Sequence, residues 1–230
     1  QATKALGHGD FHILVFAPSS VQEMVDMVIA AFNTADKYRV PAMILADGLL
    51  GQMMEPVTFP EIAAVEYDKS SWAADGHKNK REHHIINSLY LQATELEAKV
   101  KERFERYETI KANETDAELY LTEDCDILLC AYGATARVVK SAVNAAREQG
   151  IKAGMFRPKT LWPFPVKEIN EAAKTASKLL CVEMSMGQMV DDVKLAINCS
   201  KPVEFYGRTG GVIPTPVEIL EEIKKLGGVQ

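Results

Sequence analysis

The residues of this chain that could do chemistry are few and scattered. Gly207-Arg-Thr-Gly-Gly211 follows an apolar run, and its backbone N–H groups with Arg208 could cradle an anion. It lacks the Lys-Ser/Thr of a nucleotide P-loop, so a plain Gly-rich turn is the competing reading. Glu183 closes another apolar run, just before Met184-Ser-Met-Gly-Gln188. Open α/β sheets place functional groups at such strand ends. Capping the next helix, pairing across an interface and catalysis all suit a carboxylate there. Gly7-His-Gly-Asp10 puts His8 and Asp10 in position to face a ligand or to form a polar turn. It is no dinucleotide fingerprint, because His12 stands where the third Gly is needed and the motif precedes a strand. His8 and His12 do not converge on a metal from an extended segment. Cys125, Cys130, Cys181 and Cys199 form no C-x-x-C pair. The sequence contains no nucleophile elbow, kinase set or zincin motif.

The stretch 157–165, Arg-Pro-Lys-Thr-Leu-Trp-Pro-Phe-Pro, has three prolines and a tryptophan in nine residues. Each Pro removes a backbone donor and pushes its predecessor toward an extended shape, which excludes helix and central strand. A rigid aromatic segment after the apolar run 151–156 is either a packed connector or a ligand or partner contact.

The elements that must position these groups follow from periodicity. Residues 12–17 and 41–46 read as strands flanking a helix. Ser20 and Glu23 offer that helix a capping box, with Ser19 and Gln22 as a second register. This makes a parallel β-α-β unit. Two strands cannot bury both faces of such a sheet, so more structure must cover them. Residues 83–111 read as one long amphipathic helix, with Ile85, Leu89, Ala93, Leu96, Val100, Phe104 and Tyr107 at helical spacing. Beyond it, strands at 126–131, 151–156, 178–183 and 203–206 alternate with helices at 136–149, 166–176, 189–198 and 215–226. This predicts a doubly wound sheet with helical cover. The domain reading is 1–65, 66–120 and 121–230.

Composition bounds the partners. The 230 residues are 47% hydrophobic and carry a net charge of -6. No basic excess exists to release counterions from nucleic acid or an anionic membrane, and no run reaches the ~18 apolar residues of a membrane span. The scattered Cys predict a reducing cytoplasm, no disulfide and no metal cluster in this chain.

Three stretches form a pattern: Ala17-Pro-Ser-Ser-Val-Gln-Glu-Met-Val-Asp26, Asp36-Lys-Tyr-Arg-Val-Pro41 and Leu45-Ala-Asp-Gly-Leu-Leu-Gly-Gln-Met-Met-Glu-Pro-Val57. With 126–134, 156–165, 182–188 and 207–211 they resemble the alpha-type subunit of 2-oxoacid:ferredoxin oxidoreductases, nearest the 2-ketoisovalerate branch. The resemblance implies a β-α-β remnant of a thiamine pyrimidine-binding domain, a long connector helix and a transketolase C-terminal-like domain. It implies thiamine diphosphate with Mg in the assembled complex and iron–sulfur clusters in partner subunits. Neither is expected on this piece alone. The implied partners are a beta subunit that holds the cofactor diphosphate, an iron–sulfur subunit, ferredoxin and CoA, with a homodimer also open. Family members carry several βα units before the Gly-His-Gly-Asp region, including the Glu that activates the thiamine ring. The chain therefore reads as N-terminally truncated and inactive by itself. His8, Asp10, Asp47 and Gln52 are the candidates on the active-site side. Arg157, Lys159, Trp162, Glu183 and Arg208 are the interface candidates. A non-enzymatic assembly or binding module on the same domain is the alternative. On this reading Trp162→Ala should lower thermal stability or subunit co-elution before it changes turnover; a pure turnover defect would place the segment in the active site instead.

Overall fold

The computed structural model describes residues 3, 7, 10–59 and 65–228. Strand β1 (Leu14–Phe16), helix α1 (Val21–Tyr38) and strand β2 (Ala42–Ile44) form the expected parallel unit. A 3-10 turn at Leu50–Gln52 follows. The described residues of 53–92 then form neither helix nor strand. Helix α2 (Ala93–Asn113) and strand β3 (Ala117–Tyr120) lead into strand β4 (Ile127–Cys130), helix α3 (Gly133–Glu148), strand β5 (Ala153–Pro158) and strand β6 (Thr160–Trp162). Helix α4 (Val166–Ala172), strand β7 (Lys178–Glu183), helix α5 (Met189–Ala196), strand β8 (Val203–Gly207) and helix α6 (Pro216–Gly227) complete the chain.

The larger sheet has the order β3-β5-β4-β7-β8. Strands β5, β4, β7 and β8 run parallel, and β3 pairs antiparallel with β5. Alternate side chains point to opposite faces of a strand. Leu129 and Leu180 therefore join Val139, Ala142, Ile219 and Ile223 of α3 and α6 on one face. Leu128 and Cys181 join Ile169 and Val193 of α4 and α5 on the other. This is the doubly wound arrangement that the alternation of elements predicts.

The smaller sheet has the order β2-β1-β6. Its third strand comes from the Pro-Trp stretch, which pairs antiparallel with β1 as an edge strand. That answers the burial problem of a lone β-α-β unit. Leu161 and Trp162 enter the core of the small lobe, beside Leu14, Val15, Met27 and Ala31, and Tyr107 and Ile110 of α2 close it. The Trp162 ring stacks on His12 at 4.8 Å and meets Tyr107 edge-on at 5.3 Å. The Tyr107 hydroxyl accepts from the His12 N–H at 3.0 Å and donates to the His12 carbonyl at 3.1 Å.

Two elements differ from the sequence reading. Helix α2 starts at Ala93, ten residues later than residue 83. Ile85, Ile86, Leu89 and Leu91 are exposed, so their helical spacing meets no surface to bury against. Asn87 also accepts from the Leu89 N–H at 2.9 Å, a local turn that competes with helix. Strand β3 was not expected, because Ala-Glu-Leu-Tyr lacks a continuous apolar run. The capping box of α1 is half made. Ser20 Oγ accepts from the Glu23 N–H at 3.1 Å, while the Glu23 carboxylate turns to Ser19 and Arg157.

Arg157 joins the two lobes. It lies on β5 opposite Glu118 of β3, and its side chain is 3% exposed. Its Nε donates to Glu118 Oε2 at 2.8 Å. Its Nη1 donates to Ser19 Oγ at 2.9 Å and Glu23 Oε2 at 2.8 Å, and its Nη2 to Glu23 Oε1 at 2.7 Å. Burial works against ionisation of Glu23, but the guanidinium and the Ser19 N–H outweigh it and hold the carboxyl at about 2. Removing one partner of a buried ion pair costs roughly 3–5 kcal/mol, because the other charge is stranded. Arg157→Met should accordingly lose about 3 kcal/mol in urea denaturation. The Glu23 value is depressed from 4.5, so its contribution is complete above about pH 5 and fades as pH falls toward 2. The wild type should lose stability over that window, and Glu23→Gln should flatten the loss. Equal slopes for both proteins would show that Glu23 does not carry it.

Candidate functional site

The strand order places the connection β4–α3–β5 on one side of β4 and β7–α5–β8 on the other. The gap between the carboxyl ends of β4 and β7 is thus the topological switch point, where doubly wound sheets bind ligands. The carboxyl end of β2 points at the same place. Between them lies a cleft of about 520 Å³, bordered by Leu45, Asp47, Tyr132, Leu161, Phe164 and Met189 among others.

Two helix starts face this cleft, and both are closed by carboxylates. Asp47 Oδ2 accepts from the Ala134 N–H of α3 at 2.9 Å, across the lobes, and Oδ1 accepts from the Leu50 N–H at 2.7 Å. Tyr132 at the N-cap of α3 supplies no capping side chain, so Asp47 does this from another element. The turn requires Gly133, whose φ is +61°, and a Cβ there would lie 2.9 Å from Asp47 Oδ2. Glu183, 3% exposed, does the same for α5. Its Oε2 accepts from the N–H groups of Gln188 at 3.0 Å and Met189 at 3.1 Å and from the Ser185 hydroxyl at 2.9 Å. Its Oε1 accepts from the Val190 N–H at 2.9 Å. Of the roles open to Glu183, the structure puts it in the capping one.

The remaining expected residues are dispersed. Asp10 is exposed, with φ +49°. Gln52 is exposed in the 3-10 turn and does not border the cleft. His8 lies outside the described residues. Lys159 pairs with Asp116 at 3.3 Å. The Arg208 guanidinium is engaged by Glu218 at 2.8 Å, and the Arg208 backbone N–H donates to the Glu183 carbonyl at 3.1 Å. Cys125, Cys130 and Cys181 are buried, and Cys199 is exposed. Among the described residues no group of three His, Cys, Asp or Glu could hold a metal ion. No described helix is long and apolar enough to cross a membrane.

Tyr132, which was not among the residues singled out from the sequence, also borders the cleft. Its ring packs against both lobes. Burial pushes its phenol pKa up, and the charges of Glu183 and Asp47 add to this. Its position two residues after a buried apolar strand was the only signal.

Scans against known families match residues 2–119 to "Pyruvate flavodoxin/ferredoxin oxidoreductase, thiamine diP-bdg" and residues 125–219 to "Pyruvate:ferredoxin oxidoreductase core domain II". The chain belongs to this oxidoreductase family. Among its relatives is the ketoisovalerate oxidoreductase subunit VorB of Methanothermobacter marburgensis, 44% identical over 99% of this chain. The 2-oxoglutarate synthase subunit KorA of the same organism is 34% identical over 94%. The chain spans 64% of the length of each. The fold is shared with a solved 2-oxoglutarate:ferredoxin oxidoreductase from Magnetococcus marinus, with a TM-score of 0.76 at 22% identity, covering 95% of this chain and 43% of that one.

The cleft does not fit the diphosphate end of thiamine diphosphate. It is bordered by Asp47, Asp191 and Asp192 and by no described Lys, Arg or His. A diphosphate needs cations or open helix N-termini, and both helix starts here are already taken by Asp47 and Glu183. Gly133→Ala should cost about 1–2 kcal/mol from its left-handed backbone alone. In a double-mutant cycle by urea denaturation it should be non-additive with Asp47→Ala; additive losses would show that the two residues do not share one contact.

Proposed function

We propose that this chain is the alpha-type part of a thiamine diphosphate-dependent oxidoreductase acting on branched-chain 2-oxoacids in the cytoplasm. The 2-oxoacid loses CO2, its two electrons pass to ferredoxin through iron–sulfur clusters, and the acyl group joins the CoA thiol. The observation that carries the proposal is the cleft itself: one chain, matching both family domains in order, brings the carboxyl ends of both sheets to a single site. The acidic lining supports a division of labour. A beta subunit holds the diphosphate and Mg, and an iron–sulfur subunit holds the clusters. This chain supplies the apolar wall of Leu45, Leu161, Phe164 and Met189 and the Tyr132 donor. The branched-chain preference rests on the higher identity to the ketoisovalerate subunit than to the 2-oxoglutarate one. The domains are read as 1–65, 66–120 and 121–230, with the interface candidates supporting the joints between them and to partners.

The complex containing this chain should reduce ferredoxin with 2-ketoisovalerate and CoA, with kcat/KM above that for pyruvate by about 10-fold or more, the scale that apolar pocket contacts give. The isolated chain should give no turnover. A preference for 2-oxoglutarate would overturn the substrate reading, and an inactive complex would favour the assembly-module reading.

A further inference from the structure

Residues 69–84 form neither helix nor strand, yet they fold back on themselves as two linked turns. In the first, the Trp72 and Ala73 N–H groups donate to the Lys69 carbonyl at 3.1 and 2.8 Å. Helix α1 fastens this turn from outside, by Asp36 to Lys69 and by Arg39 over the Trp72 ring. In the second, the Lys80 N–H donates to the His77 carbonyl at 2.8 Å. The Arg81 guanidinium ties the turns together, donating to the Ala73 carbonyl at 3.3 Å and to Asp75 at 2.6 Å. His84 Nδ1 bonds the same Ala73 carbonyl at 2.8 Å.

We propose that the second turn is a pH-operated clasp: neutral His77 holds it closed, and protonation of His77 opens residues 73–84. Two independent observations carry this. The first is strain. Lys78 and Asn79 are consecutive left-handed residues, with φ +46° and +57°. Asn tolerates that region better than Lys, so outside contacts must hold the turn. The second is the contact that does so. The Asn79 N–H donates to His77 Nδ1 at 3.1 Å, so that nitrogen carries a lone pair and no proton. A proton there sets one donor against another, and the strained turn loses its support.

The surrounding charges act in the same direction. The His83 ring lies against His77 with centroids 4.0 Å apart, so two imidazolium rings would repel each other. Lys78, Lys80 and Arg81 outnumber Asp75 and Glu82 in this stretch, and Asp75 is already engaged by Arg81. His84 is indifferent to the change, because a nitrogen facing a carbonyl is an N–H donor in the neutral and the charged ring alike. At the α1 end Asp36 is paired with Lys69, and Arg39 lies over Trp72. Opening therefore starts at 77–80 and leaves 69–72 fastened to α1. The clasp does not rest on the proposed reaction, since it is read without turnover.

Hydrogen exchange of the chain in its complex, read by mass spectrometry and corrected for the intrinsic pH dependence of amide exchange, tests the inference. Protection of the Asn79 and Lys80 amides should fall about tenfold or more between about pH 7.5 and 5.5, the interval in which imidazole gains its charge. His77→Asn puts a carboxamide oxygen where Nδ1 stands, an acceptor that cannot titrate, and should stay protected at both pH values. His77→Phe has no acceptor and should be unprotected at both. His77 belongs to none of the apolar cores, so both variants keep the packing of the two lobes. Wild-type protection unchanged by pH, an equal loss in His77→Asn, or full protection in His77→Phe would overturn the proposal.

Discussion

A buried guanidinium must be fully satisfied, and that requirement organises this molecule. Arg157 sits on the large sheet, yet its acceptors come from two places: Glu118 on the neighbouring strand and Ser19 with Glu23 at the start of α1. Neither lobe alone supplies enough acceptors. Burial of the side chain therefore depends on docking of the lobes, and docking depends on the side chain. The Trp162 ring, five residues on, enters the small-lobe core and adds apolar burial to the same joint.

The geometry of the cleft follows from this joint. With the lobes docked, the carboxyl end of β2 faces the starts of α3 and α5. Asp47 reaches across to the Ala134 N–H, and Glu183 satisfies α5 from beneath. Negative charge at a helix N-terminus is favourable, but each carboxylate placed there removes an anion site. The cleft is left with an acidic and apolar border that includes Tyr132, whose phenol pKa burial pushes up. Such a surface suits the organic part of a ligand and rejects a diphosphate.

Legibility differed among the elements for physical reasons. The buried strands, with continuous apolar runs such as Ile-Leu-Leu-Cys, announced themselves, as did the helices with full apolar stripes. Strand β6 was hidden because prolines disguise an edge strand that pairs on one side only. Strand β3 was hidden because Ala-Glu-Leu-Tyr is only partly buried and lacks the continuous apolar run that marks the equally short β4. The start of α2 was misplaced because Ile85 and Leu89 repeat at helical spacing without a surface to pack on.

Local chemistry alone determined the β-α-β unit at the start of the chain, the four parallel strands of the larger sheet with their helices, and the strand-end placement of Asp47 and Glu183. Those properties depend on neighbouring residues and on charge, which the chain carries whatever its shape. The tertiary structure decided what these residues do. Asp47 and Ala134 are 87 positions apart, and Arg157 and Glu23 are 134 apart. No local pattern encodes a contact across such distances. Whether a carboxylate caps, pairs or faces a cavity is set only when packing brings its donors within hydrogen-bond reach.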